Sequence, residues 1–581
     1  MDKLENIRSC FFALFLTIIS SLSQGQGLNI HSGASLVNTG NIVLTGNWIS
    51  DGSFSDNSGT VCFSGTVQSI GGTIPSAFNN ITISSGSNTS VITGGQILSR
   101  ILLSNGTLNS NGNLTLISTP ALTALIDGSG TGQVTGNVNM QRYLSDGGYK
   151  YFSSPFSDAT VNQFNEEVSL GASFPTLYSY NENDNNSSGW INYTNTAGPL
   201  NRLEGYAVNF GILSTVTTVS ISGTVNNGPL SRNISNHNFE FTKGFNLAGN
   251  PYPSPIDWDA GAGWTKNNID AALYYFRSSG DQYSGTYSTY VNGISSDGQA
   301  SNIIPSMQGF FIHVSNDVTY PVAGTLALDN RVRITDLSHS FMKSDGAGSF
   351  PILKLTAAFT DNPSSDDESV IYFHEKGTDD FDNRLDALKL FNTDSQTPNL
   401  YSVAADGKRL TINALPITVD SLLVVPLGVK IERSGQVKFS LSEMDNLDPG
   451  ISIYLHDEET ATDRMLDLLK GYTVNLAAGE YNDRFSVRFM LKEKNVPENW
   501  PGQDLLNAYV FQGKLIADIY LLSGNSGTLT FSNLSGQTVF VKNISSLGYH
   551  EFDIFQKTGI YILNFTTGKL RVSKKIFIHD R

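Results

Sequence analysis

The chain has 581 residues and a formal net charge of −16, because 52 Asp and Glu outnumber 36 Lys and Arg. That length predicts roughly three to five domains, since a domain holds roughly 100–200 residues. The acidic balance argues against partners such as nucleic acid or an anionic membrane, both of which select for concentrated Lys and Arg. With 55 Gly, 39% hydrophobic and only 15% charged residues, the composition indicates folded strands joined by tight turns rather than disorder.

An apolar run near the N-terminus predicts export. Residues Cys10–Ile19 read CFFALFLTII, which has the length of a signal-peptide core and is too short to cross a hydrocarbon layer of about 30 Å. Small residues at Ser21 and Ser23 predict that residues 1–23 form a signal peptide cleaved after Ser23, with Gly25 as the alternative. No later stretch approaches about 18 apolar residues, so we expect no transmembrane span in the mature chain.

Cysteine content is low. Cys10 leaves with the signal peptide, so the mature chain keeps Cys62 alone and forms no internal disulfide. Cys62 lies in the alternating stretch TVCFSG, and we expect it to be a small core residue. Stability then has to come from large β-cores, metals or assembly.

Three similar pentapeptides recur in the first mature region, residues 28–140. They share the pattern Gly-Asn-aliphatic-x-aliphatic at Gly40–Leu44, Gly112–Leu116 and Gly136–Met140, and their offsets of 72 and 24 residues are both multiples of 24. A repeat of about 20 to 50 residues is typical of solenoids, in which each turn buries its apolar face against the next. We therefore predict a short parallel β-solenoid, with an antiparallel sandwich as the alternative. The stretches NNITISSG and SNGTLNSNGNLTL resemble the stacked repeats of bacterial surface adhesins.

A second repeat indicates a duplicated β-module. Three landmarks recur in the same order, and we place the two copies at residues 141–240 and 241–345. In each copy a Pro-aromatic pair ends a strand, and a later Gly-aromatic-x-aliphatic stretch alternates as a half-buried strand does. The paired landmarks are Tyr149–Phe156 with Phe245–Tyr252 and Leu177–Tyr180 with Leu273–Phe276, both 96 residues apart, and Glu204–Phe210 with Gln308–Val314 at 104.

Aromatic residues crowd the second copy and have two interpretations. Exposed rings would stack on sugars and make surface glycans a partner, whereas Tyr and Trp are also normal fillers of β-cores and cross-strand pairs. We favour core packing. The residues are Trp258, Trp264, Tyr274, Tyr275, Tyr283, Tyr287 and Tyr290.

In residues 346–491 the fraction of charged residues rises and the fraction of Gly falls. Alternating stretches such as ILKLTAAF and QVKFSLS predict a β-sandwich. Two short segments, Arg384–Phe391 and Asp463–Lys470, have the periodicity of helices. Pro and charge content predict a linker at residues 492–504.

Two acidic clusters within the predicted sandwich raise the question of calcium. Hard oxygen ligands close together suit calcium, but neither cluster has the Asp-x-Asp-x-Asp-Gly register of a calcium loop. We expect solvated loops and no cofactor, with calcium as the open alternative. The clusters are Asp361, Asp366, Asp367 and Glu368, then Asp379, Asp380, Asp382 and Asp386.

Catalytic motifs are missing from the sequence. The eight histidines are scattered, and no HExxH, GxSxG, Walker loop or CxxC occurs. We therefore expect a non-enzymatic protein. The carboxylate pair of a glycoside hydrolase has no fixed sequence spacing, so that enzyme class stays open.

The C-terminal region, residues 505–581, carries three stretches with a family resemblance. They are NLSGQTVF from Asn533, LGYHEFDI from Leu547 and TGIYILNFTTGKLRVSKKIFIHD from Thr558. This region resembles the C-terminal sorting domain of type IX secretion cargo in Bacteroidota. The residues that match the sorting signal are Gly536, Gly559, Tyr561, Gly568, Lys574 and Lys575.

That resemblance implies an Ig-like β-sandwich and a route of export. The implied partners are the Sec machinery and the outer-membrane type IX translocon, and the implied location is extracellular or on the outer-membrane surface after passage through the periplasm. The central modules, with NPYPSPIDW at Asn250–Trp258, resemble secreted exoproteins of unassigned role.

Together these patterns predict an all-β, multidomain protein in which a short parallel β-solenoid is followed by β-sandwich modules and a C-terminal Ig-like β-sandwich. The expected function is a secreted or surface-displayed, non-enzymatic adhesin or matrix component. The alternative is a carbohydrate-binding accessory or a polysaccharide-degrading enzyme.

Overall fold

A computed structural model describes residues 24–211, 217–279, 284–337, 350–417, 422–448, 450–468, 471–491, 506–511, 514–519, 527–544, 548–567 and 570–578. The predicted signal peptide with Ser23, the predicted linker at 492–504 and Gly568 lie outside these residues. The chain divides into two compact units, one of residues 1–347 with 383–395 and the other of residues 348–382 with 396–581.

The fold is all-β, which confirms the predicted class. Strands make up 56% of the structure, and the described residues contain no α-helix. Two short 3₁₀ helices occur, at Val161–Phe164 and Asn330–Val332. Within the described ranges, no helix has the length and apolar character needed to span a membrane.

The first unit begins with a parallel β-solenoid of about six turns. Seven strands form one parallel sheet in the order β1-β4-β7-β9-β11-β13-β16, six form a second in the order β2-β5-β8-β10-β12-β15, and β3 pairs with β6. The strands are β1 (Gln24–Gly25), β2 (Leu28–Ile30), β3 (Ser35–Asn38), β4 (Asn41–Leu44), β5 (Trp48–Ser50), β6 (Ser53–Asp56), β7 (Thr60–Phe63), β8 (Val67–Gly71), β9 (Ala77–Ile83), β10 (Asn88–Val91), β11 (Gln96–Ser104), β12 (Thr107–Asn109), β13 (Leu114–Leu116), β14 (Leu125–Ile126), β15 (Gln133–Thr135) and β16 (Asn137–Leu144).

The turns of the solenoid are mostly shorter than the sequence repeat predicts. Asn41 pairs with Thr60 and Thr60 with Asn80, so these turns advance the register by 19 and 20 residues, whereas the step from Leu114 to Val138 is 24. The first two pentapeptides, on β4 and β13, are therefore four turns apart rather than three of 24 residues. The loops between the strands differ in length from turn to turn, because only the stacked strands have to stay in register.

Alternation along the strands builds the solenoid core. Val61 and Phe63 are fully buried, and each such side chain contributes about 1.5–3 kcal/mol of hydrophobic stabilisation. Cys62, between them, is half-buried, and its Sγ lies 3.3 Å from Ser84 Oγ. The prediction that Cys62 is a core residue is wrong, because successive strand residues face opposite sides of a sheet.

Two copies of one β-module follow the solenoid. The first forms a sheet in the order β17-β20-β18-β19 and the second in the order β23-β30-β26-β27-β28. The strands are β17 (Tyr149–Phe152), β18 (Leu177–Tyr180), β19 (Trp190–Asn192), β20 (Tyr206–Asn209), β21 (Thr217–Thr224), β22 (Leu230–Asn236), β23 (Phe245–Gly249), β24 (Ile256–Asp257), β25 (Trp264–Asn267), β26 (Leu273–Ser278), β27 (Gly285–Val291), β28 (Ile294–Ser295), β29 (Ile303–Ile304), β30 (Gly309–His313) and β31 (Val322–Leu328).

One strand of the first copy closes the solenoid. β21 runs antiparallel to β16, with Asn137 opposite Thr224 and Leu144 opposite Thr217. The last turn of a solenoid otherwise leaves its apolar face and strand edge open, so a cap is needed there. In this chain the cap comes from the module that follows.

The register of the two copies is also the same. Tyr149 pairs with Asn209 in the first copy, and the corresponding Phe245 pairs with His313 in the second. Strand order and register together show that the three sequence landmarks mark equivalent strands.

The two copies contact each other through equivalent strands. Phe152 of the first copy bridges to Gln308 of the second, and the corresponding Ala248 bridges to Glu204. The next residue in each strand repeats the exchange, since Ser153 N donates to Met307 O at 3.1 Å and Gly249 N to Leu203 O at 3.2 Å. The contact is therefore reciprocal, as in a two-fold symmetric dimer.

The second unit contains a ten-stranded sheet in the order β40-β39-β42-β37-β35-β36-β33-β32-β38-β41. Phe439 on β38 and Phe485 on β42 have ring centroids 5.0 Å apart although their strands are distant in this order, so the sheet folds onto itself as a sandwich. The strands are β32 (Ile352–Phe359), β33 (Asn362–His374), β34 (Ala387–Leu388, in the first unit), β35 (Asn399–Val403), β36 (Arg409–Pro416), β37 (Leu422–Ile431), β38 (Gly435–Asp445), β39 (Ile451–Asp457), β40 (Thr462–Met465), β41 (Tyr472–Leu476) and β42 (Gly479–Leu491).

Both predicted helices are wrong. Asp463–Lys470 begins inside β40, where Met465 pairs with Tyr454. Arg384–Phe391 contains a turn and the two-residue strand β34. Helix propensity differs by less than about 1 kcal/mol among ordinary residues, so strand pairing and burial override it.

The C-terminal region is a small sandwich of two sheets, β43-β44-β47 and β46-β45-β48-β49. The two sheets share one core, which includes Leu515, Phe531 and Leu563. The strands are β43 (Leu506–Phe511), β44 (Lys514–Ile519), β45 (Gly527–Asn533), β46 (Thr538–Ile544), β47 (Gly548–Asp553), β48 (Gly559–Thr567) and β49 (Leu570–Ile578).

Candidate functional site

The aromatic residues weighed as a glycan platform are mainly core residues. Trp264 and Tyr287 are half-buried, and Tyr283 lies outside the described residues. A ring packed inside a core has no free face to offer a sugar, so these residues are scaffold. The buried ones are Trp258, Tyr274, Tyr275 and Tyr290, each with at most 3% of its surface exposed.

The polar ends of these rings have partners inside the module. Trp258 Nε1 donates to Ala271 O at 2.7 Å, and Tyr275 OH donates to Ser301 O at 3.1 Å. Burial raises the pKa of Tyr275 well above its ordinary value, so the phenol stays protonated. These groups hold the core together.

Lys266 is the cation of this aromatic region. Its Nζ lies 3.9 Å from the centroid of the Trp258 ring and donates to Trp258 O at 3.0 Å. Burial lowers the pKa of Lys266, and the nearby Asp259 opposes that shift. Burial likewise raises the pKa of Asp259, which accepts a hydrogen bond from Tyr290 OH. The lysine thus has its charge balanced within the fold.

A Ser, a His and an Asp meet in the second copy, but not as a catalytic triad. Ser315 Oγ donates to Asp270 Oδ1 at 2.6 Å, and His313 Nδ1 lies 2.6 Å from Asp270 Oδ2. In a nucleophilic triad the His contacts the Ser, whereas here His313 Nε2 faces Lys243 O at 2.9 Å. Only 1–2% of the His313 and Asp270 side chains is exposed, so the group is a buried structural pair.

Arg333 joins the second copy to the solenoid. Its Nε donates to Ser254 Oγ at 2.8 Å, its Nη2 donates to Ile126 O, and the guanidinium lies 5.0 Å from the centroid of the Tyr252 ring. Burial lowers the pKa of Arg333 to about 10. The cavity beside it has about 20 Å³ of space, enough for about one water molecule and too small for a substrate.

The residues of the two acidic clusters differ in their place on the strands and in their burial. Asp366–Glu368 lies within β33, not between strands as predicted, so neighbouring carboxylates face opposite sides. Asp367 Oδ2 accepts a hydrogen bond from Leu400 N at 2.7 Å. Asp379 and Asp380 are exposed, while Asp386 is buried. In the part of the chain that the structure describes, no three His, Cys, Asp or Glu side chains are grouped to hold a metal ion.

A charged network lies on β39 and β42 of the second unit. Arg484 Nε and Nη2 each donate to Asp457 at 2.9 Å, and Tyr472 OH donates to the same carboxylate at 2.7 Å. Burial alone would raise the pKa of Asp457, but the bonds from Arg484 and Tyr472 outweigh it and the pKa is lowered. This network ties β39, β41 and β42 together.

Of the residues matched to a sorting signal, Gly559, Tyr561, Lys574 and Lys575 lie on the four-stranded sheet of the C-terminal sandwich. Gly536 has a φ of 84° in the turn between β45 and β46, which a side chain rarely adopts. Gly559 and Tyr561 lie on β48, where the Tyr561 ring stacks on Phe531 with centroids 5.2 Å apart. Gly568 lies outside the described residues.

The two lysines of this signal do not point the same way. Lys574 and Lys575 are neighbours on β49, so their side chains face opposite sides of the sheet. Lys575 is exposed and Lys574 is half-buried. The strand geometry therefore gives one exposed cation here and not a pair of them on one side of the sheet.

Two features were missed by sequence reasoning. One is the reciprocal contact between the copies. Its trace in the sequence is a pair of similar stretches, LEG at Leu203 and MQG at Met307. Both Leu203 and Met307 have a φ of 62°, a strained value for such side chains. The other is the segment of residues 383–395, here named the strap, which lies against β27 of the second copy and belongs to the first unit.

Comparison with known proteins gives a family and little more. Residues 43–489 match the model of a family described as Domain of unknown function (DUF8693). No curated protein matches the chain. A solved structure described as "Biofilm associated protein - BSP domain" is similar over 76% of this chain and 92% of that chain, at 10% identity and a TM-score of 0.17. At that TM-score the likeness carries no argument about function.

Proposed function

Because this chain belongs to the family described as Domain of unknown function (DUF8693), which names no activity, we propose a function from the architecture. We propose that the protein is a non-enzymatic adhesin or matrix component, secreted or displayed at the cell surface. One observation carries this proposal: the side chains that could serve as a site, including Trp258, His313 and Asp457, are held by partners within the fold. Such a molecule presents surfaces rather than a catalytic cleft.

We further propose that export uses the type IX secretion system. The apolar run Cys10–Ile19 would direct the chain to the Sec machinery, and the C-terminal sandwich would engage the outer-membrane translocon. Support for the second step comes from the sorting-signal residues, since Gly559 and Lys575 lie on the paired strands β48 and β49 of one sheet.

A pair of assays on the purified full-length chain tests the non-enzymatic role. We expect beads coated with the folded chain to adhere to cells or extracted matrix more than beads coated with the heat-unfolded chain. We also expect no release of reducing ends from a panel of polysaccharides, because the candidate side chains Trp258, His313 and Asp457 are held by partners within the fold. Sustained sugar release that a single Asp or Glu substitution abolishes would contradict the proposal.

A further inference from the structure

The two copies of the module present equivalent edge strands. Trp190 on β19 pairs with Tyr180 in the first copy, and Tyr287 on β27 pairs with Phe276 in the second. Tyr180 and Phe276 are themselves equivalent, being the last residues of the landmarks LYSY and LYYF. The outer sides of β19 and β27 therefore correspond, and their surroundings can be compared directly.

In the second copy this outer side is covered. The strap runs beside β27, where Thr393 N donates to Gly285 O at 2.9 Å and Gly285 N donates to Thr393 Oγ1 at 3.1 Å. Tyr287 N donates to Asn392 Oδ1 at 2.9 Å. Further along, Ser296 N donates to Thr289 O at 2.9 Å. Each of these outward backbone groups of β27 thus has a partner within the first unit.

In the first copy, no described residue forms a backbone hydrogen bond to the corresponding side. Asn181 N donates to Gly189 O and Tyr193 N donates to Leu177 O, so these residues bond inward, to β18. Antiparallel alternation then turns the backbone groups of Trp190 and Asn192 outward. β19 is the last strand of its sheet, and among the described residues no backbone hydrogen bond reaches its outer side.

We propose that the outer edge of β19 is a docking site for an extended polypeptide segment, which adds to the sheet as a further strand and presents an Asn-Thr pair. An open strand edge is a template for such addition. The strap shows the chemistry that fits, because it satisfies the equivalent edge with the backbone N–H groups of Thr393 and Asp394 and with the side chains of Asn392 and Thr393. This docking is independent of the export route.

Geometry and charge limit the kind of partner that fits this edge. Outward backbone groups on β19 repeat every second residue, which matches the repeat of another β-strand. Hydrogen bonds from Ser187 and Asn186 lower the pKa of Asp184, in the hairpin before β19, so a negative charge sits beside the edge. A partner segment with a basic residue near its Asn-Thr pair is therefore favoured. The strap has such a residue in Lys389.

A labelled peptide with the sequence of residues 387–396, ALKLFNTDSQ, tests this site. We expect saturable binding to the full-length chain by fluorescence anisotropy. Asn192→Pro removes one outward N–H from an edge strand, where Pro is tolerated, and should weaken binding about fivefold or more. The matched control Asn192→Ala keeps that N–H, so its affinity for the peptide should stay within about twofold of that of the unsubstituted chain. A peptide with both Asn and Thr replaced by Ala should also bind more weakly.

A second measurement does not depend on the fold of the Pro variant. Hydrogen exchange on the unsubstituted chain should show that the peptide protects the amides of Trp190 and Asn192, while Ile191, already bonded to β18, changes little. The proposal is overturned by the lack of saturable binding, by equal binding to Asn192→Pro and Asn192→Ala, or by protection elsewhere with none at β19. Binding of glycans at this edge in place of the peptide would also overturn it.

Discussion

His313 and Asp270 show how single residues stabilise the second copy. Removing Asp270 would leave His313 Nδ1 and the Ser315 hydroxyl without their acceptor in a buried site. Loss of one member of a buried pair is typically destabilising by about 3–5 kcal/mol. We therefore predict that Asp270→Ala lowers the free energy of unfolding by about 3 kcal/mol, measured by denaturant unfolding followed by tryptophan fluorescence.

The matched control for this variant is Asp361→Ala. Asp361 pairs with Arg433 at the surface, where hydrogen bonds from that arginine lower the pKa of the carboxyl. Surface pairs contribute little, so the unfolding midpoint should stay close to that of the unsubstituted chain. Equal destabilisation by the two substitutions would refute the structural role of the buried pair.

Asp457 gives the second unit a pH dependence. Its folded-state pKa lies below the unfolded value of about 3.9, so the carboxylate adds stability above that pH, and the gain is lost as pH falls through the folded pKa. We predict that Asp457→Asn is less stable than the unsubstituted chain near pH 7 and that the gap narrows towards pH 3. Thermal unfolding at pH 7 and at pH 3 measures this difference in stability. A difference that does not change with pH would contradict the prediction.

At the scale of strands, the reciprocal contact between the copies depends on close backbone approach. A Cβ on Gly249 would lie 2.2 Å from Ser153 Cβ and 2.6 Å from Glu204 O. Gly249→Ala should force the copies apart and lower the free energy of unfolding by about 2 kcal/mol or more. Gly261→Ala is the control, since nothing lies within 4 Å of a Cβ there. Unfolding midpoints that are the same for both variants would argue against this tight contact.

The elements differ in how far sequence could predict them. The duplicated module was predictable from the sequence because its landmarks carry both the strand alternation and the turn residues. The contact between the copies was not predicted, because the positive φ of Leu203 and Met307 is imposed by tertiary pairing, and the similarity of LEG and MQG does not by itself indicate a contact. For the same reason β40 was mistaken for a helix, since its pairing with β39 overrides a weak helical periodicity.

The candidate sites were predicted less well than the fold. Trp258 and Tyr274 were correctly favoured as core residues, since large rings in alternating strands normally pack inward. The edge of β19 could not be found from sequence, because its openness is visible only beside the covered edge of β27. An edge strand and an inner strand have the same alternation, and only the neighbours tell them apart.

The stability of the protein comes from its β-cores. The solenoid, the paired copies, the sandwich and the C-terminal sandwich each contribute apolar residues to buried clusters. Cys62 is the one cysteine of the described residues, so these cores form without a disulfide between them.

We propose that the C-terminal sandwich directs this chain to the cell surface, and surface labelling of intact cells is the direct test. We predict that deleting Gly559–Arg581 leaves the chain in the periplasm, and that Lys575→Ala, which changes one exposed side chain, reduces the surface signal severalfold. Lys542→Ala, at another exposed position of the same sheet, should leave the signal unchanged. Unchanged surface labelling of both the deletion and Lys575→Ala would contradict the claim.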